Sequence, residues 1–224
     1  MHVYIAGTGK LATELLEKLE PHNELVIRRW SDAVETNARS IVVHAGSGRE
    51  VDSIAEFCAR TTSALVELAT GSTLEGAKST FPLVLCPNTN ILMLKFMSML
   101  ERSGSMFTGY KIRVIESHQA AKTSVPGTAV QMAASLGVST SEISSVRQPS
   151  QQEKELKIPH EHLARHAFHR IDVQDGPCTI SMETRVYGDS PYASGVQKII
   201  EAISQRELQP RIYSIIEFVE NGWV

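Results

Sequence analysis

His2-Val3-Tyr4-Ile5-Ala6-Gly7-Thr8-Gly9-Lys10-Leu11-Ala12 is the stretch on which the fold turns. Five β-prone residues run into a pair of glycines. A stripe of Leu11, Leu15, Leu16 and Leu19 at helical spacing follows at once. Strand, tight turn and helix in that order are the opening of a βαβ unit. The small residues have mechanical reasons. Gly7 permits the turn, Gly9 lets the backbone approach a pyrophosphate, and Ala12 allows the helix to pack closely on the strand. The helix N-terminus adds unpaired N–H groups for the anion. The stretch therefore predicts a dinucleotide site carried by Gly7, Thr8, Gly9, Lys10 and Leu11.

Outward from that turn, short apolar runs alternate with amphipathic stretches. Strands are expected at His2 to Ala6, Glu24 to Arg29, Ser40 to His44, Ala64 to Leu68 and Leu83 to Cys86, with helices at Lys10 to Leu19 and Val51 to Arg60. A short helix is expected after Ser72, where Ser72-Thr73-Leu74-Glu75 fits a capping box. Beyond Asn88 the pattern changes. It reads as a helix over Asn90 to Arg102, a strand over Tyr110 to Ser117, and a helix capped by Thr128 that ends near Gly137. A polar connection over Gln148 to Lys157 follows, then a strand over Thr179 to Val186 and a helix carrying Val196, Ile199, Ile200 and Ile203. The expected class is α/β: a Rossmann-like parallel-sheet nucleotide-binding domain of residues 1–88 plus 191–224, and a second α+β domain of residues 89–190 for substrate binding and oligomerisation.

The 224 residues are 42% hydrophobic and 21% charged, as in ordinary globular chains, and the net charge of −3 lacks the basic excess of a nucleic-acid binder. The longest apolar stretch, Ile91 to Leu100, is too short for a bilayer, and no signal peptide is visible, so the cytoplasm is expected. Cys58, Cys86 and Cys178 lack metal-ligand spacing and read as reduced core thiols. Met93, Met97 and Met99 read as core filling. His44 reads as a satisfied strand-end imidazole. His160, His162, His166 and His169 are crowded, but with Glu161 the one acid at hand to complete a site they read as surface or interface residues, and no metal is expected. At the end of the second strand, where an acid would select NAD, stand Arg28 and Arg29, which can bracket a 2′-phosphate. NADPH is the expected cofactor, with NADH the alternative.

Chemistry concentrates in Ile115-Glu116-Ser117-His118-Gln119-Ala120-Ala121-Lys122-Thr123-Ser124-Val125-Pro126-Gly127-Thr128-Ala129. A strand delivers His118 to its end, Lys122 follows four residues later, and Pro126 launches a helix with Gly127 and Thr128 in its first turn. An imidazole can donate a proton near neutrality, an ammonium attracts a carboxylate, and a helix N-terminus is a second anion site. Together they describe a pocket for a small dianion beside a proton donor.

This segment resembles the signature E-x-H-H-x-x-K-x-D-x-P-S-G-T-A of the dihydrodipicolinate reductase family. Gly7 to Ala12 stands at that family's nucleotide loop, and Ala69-Thr70-Gly71 at its G-T-T-G loop near the nicotinamide. Pro87-Asn88-Thr89 stands at its A-N-F hinge, and Tyr192 to Val196 at the start of its last long helix. The resemblance implies NAD(P)H-dependent reduction of a cyclic unsaturated imine dicarboxylate, derived from 4-hydroxy-tetrahydrodipicolinate, on the lysine and diaminopimelate route. By motif position His118 is the proton donor, Lys122 a second donor or carboxylate anchor, and Gln119, Gly127 and Thr128 are substrate contacts. It also implies closure of the two lobes with Asn88 near the hinge, and a homotetramer.

This chain departs from the signature at Gln119, which replaces the second His, at Ser124, which replaces the Asp, and at a missing Ser between Pro126 and Gly127. Asp189 falls where the family often has Arg. A reductase of another small cyclic imine and a non-catalytic NADP(H)-binding protein are the alternative readings.

Overall fold

The computed structural model describes residues 1–20, 25–30, 37–76, 78–188 and 192–224. They form two compact units, residues 1–94 with 192–224, and residues 95–191, so the division falls inside a helix rather than at Asn88. Among the described residues no helix is long and apolar enough to cross a membrane. Asp189 and the start of the second strand at Glu24 lie outside the described residues.

The first unit is a six-stranded sheet built from β1 (His2–Ala6), β2 (Val26–Arg29), β3 (Ile41–His44), β4 (Ala64–Glu67), β5 (Leu83–Leu85) and β10 (Ile212–Ser214). All its pairings are parallel, in the order β10-β5-β4-β3-β1-β2. Helices α1 (Lys10–Lys18), α2 (Val51–Thr61), the start of α3 (Ile91–Ser103), α6 (Ala193–Ser204) and α7 (Ile215–Glu220) complete it. Successive side chains of a strand point to opposite faces. Val3 and Ile5 thus join a core with Leu15, Val196 and Ile199, while Tyr4 and Ala6 join another with Ile54, Phe57 and Cys58. A sheet covered on both faces favours apolar residues at successive positions, as in Ile41-Val42-Val43 of β3 and Leu83-Val84-Leu85 of β5.

The second unit is a four-stranded sheet, β7-β6-β8-β9, of β6 (Lys111–His118), β7 (Ser144–Val146), β8 (His166–Asp175) and β9 (Cys178–Tyr187), with α4 (Gly127–Ser135) and α5 (Pro149–Lys154). β6 pairs β7 in parallel and β8 antiparallel, and β8 and β9 form a hairpin closed at Gly176.

Several expectations change. No helix follows Ser72: its carbonyl accepts from Glu75 N, and Glu75 reaches back to the Gly71 N–H. Gly76, at φ +81°, then ends the turn. Thr128 does not cap α4. Pro126 occupies the N-cap, so Thr128 stands one residue inside the helix. The polar connection at Gln148 to Lys157 contains α5, opened by Pro149 at its first position. Cys58 and Cys86 are buried thiols that burial pushes up to about 12, whereas Cys178 is exposed on β9. Met93 and Met97 are core, but Met99 is 46% exposed.

Candidate active site

In a parallel sheet all strands end on one edge, so the segments after β1, β3, β4 and β5 gather there. Chain order reverses between β1 and β3, the topological switch point where open α/β sheets bind ligands. Gly7 holds φ +119°, and a Cβ on it would lie 2.6 Å from the Ala45 carbonyl oxygen, so the turn lies against the β3 loop. A Cβ on Gly9 would meet no described atom within 4 Å, leaving its backbone open to a ligand. Gly9 is also the N-cap of α1, and no described side chain caps that helix, whose first turn holds no acid. Thr8, Gly9 and Lys10 are exposed and Leu11 half-buried. These features fit a pyrophosphate.

Beside the turn lies a cleft of about 520 Å³ lined by residues that include His44, Gly46, Arg49, Ala69, Thr70 and Gly71. Buried Glu67 organises its floor. It accepts from His44 Nδ1 at 2.8 and 2.9 Å, from the Ala69 N–H at 2.9 Å and from Ser72 Oγ at 3.1 Å. His44 Nε2, equally buried, has no hydrogen-bond partner among the described residues, so only half of this imidazole is satisfied.

Arg28 and Arg29 close β2. Arg28 stands opposite Tyr4 and Arg29 opposite Ile5, so strand alternation starts their side chains on opposite faces of the sheet. Pro87, Asn88 and Thr89 join β5 to α3. Thr89 is buried, and a Cβ on Gly195 would lie 1.6 Å from its carbonyl oxygen, so this segment seats α6.

In the second unit, β6 delivers Glu116 and His118 to the same face. His118 Nδ1 lies 3.0 Å from Glu116 Oε2. A carboxylate can only accept, so Nδ1 carries the proton and Nε2 remains for chemistry. Burial alone would raise the Glu116 carboxyl, but hydrogen bonds from His118, Arg147 and Ser145 and the Arg147 charge hold it at about 2. Residues 119–122 form a turn closed by Lys122 N on the Gln119 carbonyl at 3.0 Å. Gln119 is exposed and Lys122 half-buried. Gly127 and Thr128 open α4, whose N-terminus no described side chain caps. α4 packs on β6, the strand that bears His118.

His160 lies at the surface as expected, but His166 and His169 do not. His166 is 5% and His169 2% exposed, and their rings lie 6.4 and 5.8 Å from that of His118. β8 is a strand, and its register sets His169 opposite Glu116. His166 Nδ1 donates to the His162 carbonyl at 3.0 Å, so its Nε2 accepts from Ser117 Oγ at 2.9 Å. Burial, then the His118 charge, push His169 down to about 4 against the opposing pull of Glu116. Burial likewise lowers His166. Only His160, paired with Glu153, and His162, stacked on Tyr187, lie outside this centre. Among the described residues no group of three or more His, Cys, Asp or Glu is placed to hold a metal. Sequence reasoning gave no role to Glu116, Arg147, Gln152, His166 or His169. Strand alternation from His118 was the available signal for Glu116, while Arg147 left none.

The family model described as "Dihydrodipicolinate reductase, C-terminus" matches residues 91–219, more than half of the chain. Over 134 residues the chain is 34% identical to 4-hydroxy-tetrahydrodipicolinate reductase 2, chloroplastic, of Arabidopsis thaliana, a match covering 55% of this chain and 38% of that protein. A probable 4-hydroxy-tetrahydrodipicolinate reductase 1, chloroplastic, of Oryza sativa subsp. japonica is also 34% identical over 134 residues, covering 55% and 39%. The matched stretch thus spans about two fifths of these relatives' own length. The fold is that of the dipicolinate-bound dihydrodipicolinate reductase from Paenisporosarcina sp. TG-14, at a TM-score of 0.63 over 95% of this chain and 97% of that one, with 15% identity. With the switch-point cleft, the His118 centre and the match across residues 91–219, the chain belongs to the dihydrodipicolinate reductase family.

Proposed function

We propose that this protein reduces the cyclic unsaturated imine dicarboxylate derived from 4-hydroxy-tetrahydrodipicolinate, giving tetrahydrodipicolinate, with NADPH as donor. In this reading the first unit binds the dinucleotide and the second the dicarboxylate. The observation that carries it is the His118–Glu116 pair, a strand-end imidazole whose Nδ1 is held by a buried carboxylate and whose Nε2 is left to donate a proton.

Gly7, Thr8, Gly9, Lys10 and Leu11 would hold the pyrophosphate, and one of Arg28 and Arg29 the 2′-phosphate. Ala69, Thr70, Gly71, Pro87, Asn88 and Thr89 would line the nicotinamide end. The dinucleotide, when bound, supplies a hydride, and the acceptor ring takes the accompanying proton from His118. Lys122 offsets the charge of one carboxylate. The uncapped N–H groups of α4 at Gly127 and Thr128, with the Gln119 amide, take the other. Nothing in the comparisons favours another cyclic imine or a non-catalytic binder. A cytoplasmic location and a homotetramer belong to the same proposal.

The test is loss of reduced nicotinamide absorbance with 4-hydroxy-tetrahydrodipicolinate as acceptor. NADPH-dependent turnover that falls about a hundredfold or more in His118→Ala is expected of a general acid. No turnover, or turnover indifferent to that change, overturns the assignment. Light scattering on the purified protein checks the tetramer.

A further inference from the structure

We infer that Glu116 and Arg147 form one positioning unit that sets the tautomer of His118 and fixes the backbone from which Lys122 projects. The inference rests on reading His118 as the proton donor, and it concerns two residues that themselves touch no substrate.

The geometry follows from the sheet. Glu116 stands opposite Ser145 in the β6–β7 register, and alternation puts Ser145 and Arg147 on the face that holds Glu116 and His118. Both Glu116 oxygens are engaged. Oε2 accepts from His118 Nδ1 at 3.0 Å and Arg147 Nη1 at 3.1 Å. Oε1 accepts from Arg147 Nη2 at 2.5 Å and from Ser145 Oγ. The guanidinium spends its remaining donors on backbone. Nε donates to the Lys122 carbonyl at 2.8 Å, Nη1 to that of Val146 at 3.1 Å and Nη2 to that of Ser124 at 3.5 Å. Five N–H donors thus have five acceptors, a set that the three donors of a lysine ammonium cannot match.

The consequence is a division of labour. A buried carboxylate beside an imidazole could itself take the proton and leave the ring free to flip. With Arg147 on it, Glu116 stays an acceptor, so Nδ1 must be the protonated nitrogen and Nε2 the working one. The same guanidinium ties down the turn at residues 119–124, so the ring and the Lys122 backbone are referenced to one rigid group. On the other side of the strand end, Gln152 Nε2 donates to the His118 carbonyl at 2.8 Å. The titratable and charged groups facing His118 are Glu116 on its own strand, Arg147 beyond the end of β7, and His166 and His169 on β8.

The test joins a spectroscopic and a kinetic arm. In 15N-histidine NMR, with His118 assigned by its loss in His118→Ala, the unmodified protein should show the neutral ring protonated on Nδ1, and Glu116→Gln should give a mixture of tautomers. Glu116→Asp, which keeps the charge, should restore the Nδ1 preference. In turnover, Glu116→Gln should lower kcat by at least about tenfold while leaving the KM for NADPH within about twofold. Arg147→Lys should in addition raise the KM for the dicarboxylate. An Nε2-protonated ring in the unmodified protein overturns the inference, whether or not any variant folds. So does an unchanged tautomer in Glu116→Gln, or a loss of kcat that Glu116→Asp fails to reduce. A protein with the Nδ1 tautomer and no turnover would keep the positioning unit and sink the reductase assignment, so the two failures are separable.

Discussion

Gly7 and Gly9 lie two residues apart in one turn, yet their substitutions should separate folding from binding. Gly7→Ala must hold a Cβ at φ +119° and press it against the Ala45 carbonyl, at a cost of roughly 2 kcal/mol or more in urea unfolding. Gly9 has φ −82° and open space, so Gly9→Ala should leave stability within about 0.5 kcal/mol and instead weaken NADPH binding in a fluorescence titration. His169 carries a pH dependence of definite sign. Its unfolded imidazole takes a proton near the ordinary 6.5 and the folded one only near 4. The unfolded state therefore binds more protons in that window, and stability falls as pH drops from 6.5 to 4, by on the order of 3 kcal/mol. His169→Leu should flatten that limb of the urea midpoint against pH, and identical limbs in the two proteins would contradict a buried neutral ring. Glu116 acts in the next window. Its charged form stabilises the fold above its ordinary 4.5, and that contribution is lost as pH falls through about 2.

At the scale of elements, two of the segments that sequence reading missed, α5 and β8, bury polar residues. α5 has no apolar stripe because its inward position is Gln152, fully buried, with its amide donating to Ser117 Oγ, the His118 carbonyl and the Val146 carbonyl. Helical periodicity is a hydrophobic signal and is blind to such an anchor. β8 likewise buries His166 and His169, beside the apolar Phe168, Ile171 and Val173. The Ser72 segment erred in the opposite sense: its capping residues are present, but the Ser72 hydroxyl donates to Glu67 and Gly76 stops the turn. Gln152→Leu keeps the volume and strips three carbonyl and hydroxyl acceptors of a donor. It should cost about 1–3 kcal/mol by thermal unfolding, and it should raise the KM for the dicarboxylate by loosening the His118 backbone.

For the molecule as a whole, the first unit is completed by residues distant in sequence. β10 pairs with β5, Tyr213, Ile215 and Phe218 join the core of Val3 and Ile5, and Gly195 lets α6 sit directly on the Thr89 carbonyl. Removing residues 205–224 should leave β5 an uncovered edge and unfold the first unit, seen as lost helical circular dichroism and rapid proteolysis within residues 1–94. Cleavage resistance equal to that of the full chain would refute this. The parallel sheet, the glycine turn and the position of His118 at a strand end were legible in the sequence, because each is a local property: short apolar runs, a residue type that tolerates φ above zero, a short motif. Which residues stand behind His118 was not. Glu116 on β6, Arg147 just past the end of β7 and His169 on β8 meet only through β6–β7 and β6–β8 register, a long-range pairing that no local pattern encodes. Local chemistry named the groups that could react, and cross-strand registration determined which nitrogen is left to do it.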